Sequence, residues 1–163
     1  MNFLTNTYER AATGSQYLKF APNDSATIRI ISEALEGFQV FKDGKPLRWE
    51  MNGEMPAEAY TADDKVRPFA AFGVYHYEAK SYKLFCCATR SILQEIVNYC
   101  DIEGNPFDYT IKITRKGAAL DTKYYVQFVE RSEAEAEVLE AQKAYENEVD
   151  VTQLLTGGNP FIK

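Results

Sequence analysis

The chain has 163 residues, 45% of them hydrophobic, and a formal net charge of −6 from 24 acidic and 18 basic side chains. That length suits one domain with a short extension and a core of ordinary size. No stretch approaches the roughly 20 apolar residues of a bilayer span, and the opening MNFLTNTYERAATG lacks the apolar core of a signal peptide, so a cytoplasmic, membrane-free protein is expected.

The first fifteen residues show no clear period and read as an arm or short helix. YLKF (17–20) and ATIRII (26–31) alternate as strands do, across the turn Pro22-Asn23-Asp24. FQVFK and KPLRWEM flank Asp43-Gly44, a strong hairpin signal, and 52–64 reads as a loop. RPFAAFGVYHY and SYKLFCCAT form the next strand pair, joined around Glu78-Ala79-Lys80. SILQEIVNYC spaces Ile92, Leu93, Ile96, Val97 and Cys100 as one amphipathic helix. DYTIKITR and TKYYVQFVE make a closing hairpin across KGAALD, and the Ala/Glu-rich 132–147 favours a helix with a weak stripe of Val138, Leu139 and Tyr145. This order predicts a mostly β chain: an OB-like antiparallel barrel over 1–131, one helix before its final hairpin, and an acidic C-terminal helix and tail over 132–163. Small β-rolls with other duties would give a similar string.

On the strand RPFAAFGVYHY, alternation places Arg67, Phe69, Ala71, Gly73, Tyr75 and Tyr77 on one face and Pro68, Ala70, Phe72, Val74 and His76 on the other. The second face suits a core. The first offers aromatic planes, room for bases and a cation for phosphate, which is what stacking on a single-stranded nucleic acid requires; ordinary cross-strand packing of the same aromatics is the competing reading. Cations recur beside aromatics or other cations at Arg48-Trp49, Tyr82-Lys83, Arg115-Lys116 and Lys123-Tyr124-Tyr125. The candidate nucleic-acid contacts are therefore Arg48, Trp49, Arg67, Phe69, Tyr75, Tyr77, Lys83, Arg115, Lys116, Lys123 and Tyr125, with Trp49 also suited to a core beside Leu47 and Met51.

The stretch TRKGAALDTKYYVQF, following Asp108 to Ile113, resembles the closing hairpin of phage-encoded single-stranded DNA-binding proteins of the T4-type, OB-fold group. That group's pattern reads K-G-x-G-x-D-T-x-Y; Lys116, Gly117, Asp121, Thr122 and Tyr124 match it, and Ala119 stands where the second glycine belongs. YLKFAPNDSATIRII is similar to the group's opening strand pair. The resemblance covers most of residues 15–130 and implies sequence-independent binding of single-stranded DNA in phage replication, recombination or repair.

Charge is divided unevenly. Residues 1–129 carry fifteen basic and sixteen acidic side chains, whereas 130–163 carry three and eight. The body is close to neutral, and such an asymmetry fits a polyanion binder with an acidic appendage. The end, with Pro160-Phe161, is similar to the acidic, Pro-Phe-tipped tails with which bacterial single-stranded DNA-binding proteins dock replication and repair partners. Here Ile162 and Lys163 follow, so the terminal carboxylate is not on the Phe.

Other chemistry finds little footing. Cys86, Cys87 and Cys100 with His76 lack any Cys-x-x-Cys spacing, so no metal or other cofactor is expected, and the thiols read as reduced. Asp63-Asp64 lie in a polar stretch, no G-x-x-x-x-G-K is present, and a nucleophile site would rest on one histidine. No enzyme is expected. A protein-interaction module, such as a phage inhibitor or assembly factor that never meets nucleic acid, is the alternative.

Overall fold

The computed structural model describes residues 16–161. Seven strands, β1 (Ser25–Ile30), β2 (Leu35–Lys42), β3 (Lys45–Glu50), β4 (Arg67–His76), β5 (Ser81–Cys87), β6 (Tyr109–Lys116) and β7 (Lys123–Arg131), form one sheet with antiparallel pairing throughout. Helix α1 (Arg90–Glu103) separates β5 from β6, and α2 (Ala136–Glu148) follows β7. The mostly β reading holds, as do the hairpins; Asp43 and Gly44 both take positive φ, 53° and 77°, as their tight turn demands. YLKF contributes only a bridge from Tyr17 to Leu84, and the expected arm before it lies outside the described residues. Among the described residues, no helix is long and apolar enough to cross a membrane.

β4 organises the sheet. β5 lines one edge through Ala70↔Cys87 to His76↔Ser81. The other edge is shared: β1 pairs near the end of β4 (Ile28↔His76, Ile30↔Val74) and β2 near its start (Leu35↔Ala71, Gln39↔Arg67). From there the sheet forks, β1 continuing to β6 and β7, and β2 to β3. The closed barrel expected from the strand order is not formed, because no pairing joins β5 to β7 among the described residues.

Both faces of β4 are covered. Ala70, Phe72 and Val74 join Ile28, Ile111 and Ile113 in a core that α1 closes with Ile92, helped by Leu93 and Ile96. On the opposite face Phe69, Ala71, Tyr75 and Leu84 pack against Val138, Ala141 and Tyr145 of α2 and against Val149 and Leu154 beyond it. A third, smaller cluster buries Trp49 with Val40 and Ala59 under a 3-10 turn, Ala57–Thr61, inside the segment read as loop. Residues 132–161 are thus part of the packed fold and not a free tail. Pro160 is buried, its carbonyl accepting from Asp150 N at 2.7 Å, and Phe161 meets Tyr17 edge-on with ring centroids 5.0 Å apart.

Two backbone positions carry sharp consequences. A Cβ on Gly73 would stand 2.7 Å from the ring of Tyr145, so glycine is what lets α2 lie flat on β4. Gly73→Ala is expected to dislodge that ring, lowering stability by roughly 1–3 kcal/mol and raising hydrogen exchange in α2 well before the amides of β1 and β6 respond. Exchange that rises equally everywhere would show that α2 is not the element displaced. Ala119, at the place of the resembled group's second glycine, has φ +52°, the left-handed region that glycine enters freely. Ala119→Gly should therefore raise the unfolding midpoint, by about 1 kcal/mol of stability.

Candidate nucleic-acid interface

The strand face read as a stacking platform is assembled as expected but occupied. Phe69 and Tyr75 are 2% and 5% exposed, and Tyr145 lies over Gly73 between them. α2 is fixed there by polar contacts at both ends. The Tyr77 hydroxyl donates to Glu135 Oε2 at 3.1 Å, the Tyr82 hydroxyl to Glu148 Oε2 at 2.6 Å, and Gln142 Nε2 to the Ile31 carbonyl at 3.1 Å. Buried Arg29 secures the entry to the helix: Nε donates to the Phe107 carbonyl, and Nη1 and Nη2 to Ser132 Oγ and the Ser132 carbonyl, at 3.0, 3.2 and 2.6 Å. A buried guanidinium needs its donors satisfied, so the start of the C-terminal segment is tied to β1. Phe69 and Tyr75 are thus core residues in this state, and Tyr77 is half-buried, its hydroxyl bonded to Glu135.

Other candidates scatter. Trp49 is in the small core and cannot stack a base. Arg48 is engaged twice, its Nε donating to Gln39 Oε1 at 3.1 Å and its guanidinium standing 5.5 Å from the Phe69 ring centroid. Lys83 pairs with Val74 in register and so projects on the α1 side of the sheet, away from Tyr75 and Tyr77; partial burial lowers its pKa. Arg115 likewise pairs with Tyr124 on the α1 side, and its Nη1 donates to the Phe20 carbonyl at 2.7 Å. It braces the loop before β1. Arg67 is exposed at the start of β4.

A coherent group remains. Register places Lys116 opposite Lys123, Thr114 opposite Tyr125 and Lys112 opposite Gln127. Thr27, two positions from Arg29, pairs with Lys112, and Arg29 pairs with Tyr75, so all these side chains belong to the outer face that carries the covered platform. Tyr125 is 56% exposed, and the three lysines are exposed. Among the described residues, no ion pair involves any of them. Like charges directly opposite on a sheet are destabilising, so Lys116 and Lys123 are not there for stability. Lys112 was not among the sequence candidates, although its place two residues before Thr114 on an alternating strand is readable.

The histidine and thiols point elsewhere. Burial lowers the pKa of His76 and pushes Cys86 and Cys87 up to about 11, so these thiols stay protonated at neutral pH. No family model, curated protein or solved structure matches the chain.

Burial and the hydrogen bond to Glu148 push the Tyr82 phenol up to about 12. Its neutral form is the one the docked helix accepts. Below pH 10 the phenol is neutral whether the chain is folded or not, so this contribution is fully present; it drains away as pH climbs from 10 toward 12, where only the folded state still holds the proton. Tyr99, raised to about 12 chiefly by its hydrogen bond with Tyr109, ionises in the same range. Phenolate absorbance should therefore show a late component, which Tyr82→Phe reduces and Glu148→Gln shifts to lower pH. A late component identical in all three proteins would mean that the Tyr82–Glu148 contact does not persist in solution.

Proposed function

We propose that the chain is a sequence-independent single-stranded DNA-binding protein built on an OB-like sheet. The observation that carries this reading is the open outer face of β6 and β7, where Lys112, Lys116 and Lys123 lie unpaired around exposed Tyr125. Cations that gain nothing from neighbours are available to phosphates, and a tyrosine presenting its ring between them can stack a base of any identity. The strand order supports it too. β5-β4-β1-β6-β7 with α1 between β5 and β6 is the order that an OB-like sheet without its closing seam would have. The reading assigns the protein no catalytic chemistry.

The covered platform enters the proposal as a second, conditional surface. Glu135 and Glu148 stand where phosphates would approach Tyr77 and Tyr82, and the Tyr145 ring rests on Gly73 as a base would. A strand bound on β6–β7 reaches that surface only if α2 yields. The Pro160-Phe161 tip carries no part of the proposal, since recruitment of replication or recombination partners by it would require the same release.

One observation favours the alternative, a protein-interaction module without nucleic acid: the residues best suited to stacking, Phe69 and Tyr75, are core. Poly(dT) decides between the two. Binding should weaken as salt rises, and Lys116→Gln and Lys123→Gln should each flatten the salt slope by about 0.7. Tyr125→Ala should cost roughly 1–3 kcal/mol. Phe69→Ala should act on the unfolding midpoint first. A parent protein with no salt-dependent affinity for poly(dT) leaves the interaction module standing.

A further inference from the structure

One groove lies away from the β6–β7 face. It spans about 1150 Å³ between the end of β2, the approach to β4 and the first turns of α1. Its lining mixes apolar and polar side chains, the apolar part including Leu93 and Val97 on the helix side and Val66 and Pro68 on the side of β4. Three cations line it, Lys65, Arg67 and Arg90, against one carboxylate, Asp64. In a chain of net charge −6 this is a local excess against the trend. All three are exposed, and no ion pair among the described residues uses them. Phe41, 45% exposed, presents its ring at the groove wall. The first turn of α1 also opens here, with no side-chain cap on its free N–H groups and no acidic residue to offset its dipole.

We propose that this groove binds single-stranded nucleic acid, with Lys65, Arg67 and Arg90 meeting phosphates and Phe41 stacking a base. The inference rests on the function proposed above and extends it to a second contact region. Charge complementarity selects an anionic ligand, and the exposed Phe41 ring beside apolar side chains suits bases. The placement adds a further reason. Lys116 and Lys123 lie past the His76 end of β4, whereas the groove lies at the Arg67 end. Ten strand residues separate the two, about 30 Å at 3.3 Å per residue. One flexible polyanion can engage both sets at once, and the linked contacts reinforce each other. An acidic peptide would satisfy the cations but has no comparable reason to reach the second set.

The test uses the full chain and fluorescein-labelled oligo(dT). Arg67→Gln with Arg90→Gln should flatten the salt slope by about 1.4, two contacts at about 0.7 each. Phe41→Ala should weaken binding about 5- to 150-fold, and iodouracil in the oligonucleotide should cross-link to the peptide containing Phe41. Because these side chains are exposed, unfolding midpoints should stay with the parent, which keeps a folding defect from passing as lost binding. If the parent binds oligo(dT), the Lys116 and Lys123 variants lose affinity, and the groove variants bind as the parent does, the groove proposal is overturned while the function stands. If the parent binds no oligo(dT), both fall. A Glu-rich peptide captured by the parent but not by Arg67→Gln with Arg90→Gln would then make the groove a peptide site.

Discussion

Contact between Tyr145 and Gly73 is the constraint on which the outer half of the molecule depends. β4 is a central strand with apolar residues on both faces, and such a strand is stable only if something covers each. α1 covers one. The other would expose Phe69, Ala71, Tyr75 and Leu84 without α2, an apolar patch large enough to invite association. Glycine at 73 leaves a shallow seat, an aromatic ring fills it, and the helix bearing that ring lies along the strand. The acidic composition of 132–150 follows from this seating. The helix is buried on the side with Val138, Ala141 and Tyr145, so its carboxylates lie outside that contact, Glu135 and Glu148 accepting from phenols at the rim.

The fork in the sheet follows from a second constraint, the break between β1 and β2. Residues 31–34 leave the ladder after Ile31 N donates to the Gly73 carbonyl, and β2 resumes along the same edge of β4. The two pieces then diverge to different partners. β3 takes the Trp49 cluster with it, while β6 and β7 extend away. The lysines Lys112, Lys116 and Lys123 belong to the β6–β7 branch, whereas Lys65, Arg67 and Arg90 lie at the start of β4 and of α1, beside the end of β2. Divergence also leaves β7 without a second strand partner among the described residues, its inner side chains Tyr124, Val126 and Phe128 closed by packing on the α1 side and not by a further strand.

Much of this was legible in the residues. Asp43-Gly44, the closing hairpin and α1 follow from local turn chemistry and helical spacing, which tertiary context did not override. The alternation on β4 correctly separated Phe69, Tyr75 and Tyr77 from Phe72 and Val74. Exposure was the part misjudged, and the signal for it was present: PFAAFGVY is almost unbroken in its apolar character, the mark of a strand buried on both faces. Val138, Ala141 and Tyr145, at helical spacing on an otherwise polar segment, were the complementary half of that signal. Barrel closure was not legible, because whether β5 meets β7 depends on long-range geometry that no local pattern encodes. Nor was the use of Arg115 and Arg48, since a cation beside an aromatic reads alike whether its donors go to phosphate, to the Phe20 carbonyl or to Gln39.

A net charge of −6 does not weigh against a polyanion ligand as heavily as the number suggests. Exposed charges farther apart than about 10 Å scarcely feel one another at ordinary ionic strength, so a phosphate brought to Lys116 or Arg67 would respond to what stands within that radius. The exposed carboxylates of α2 are held at fixed positions by the docking of the helix. A free acidic tail of the same composition would instead range over the whole surface and be drawn to the lysines. Docking therefore does more than cover the apolar face of β4: by anchoring the acidic residues to Tyr77 and Tyr82, it restrains them from neutralising the cations on β6 and β7. Packing on one part of the sheet thereby sets the electrostatics of another.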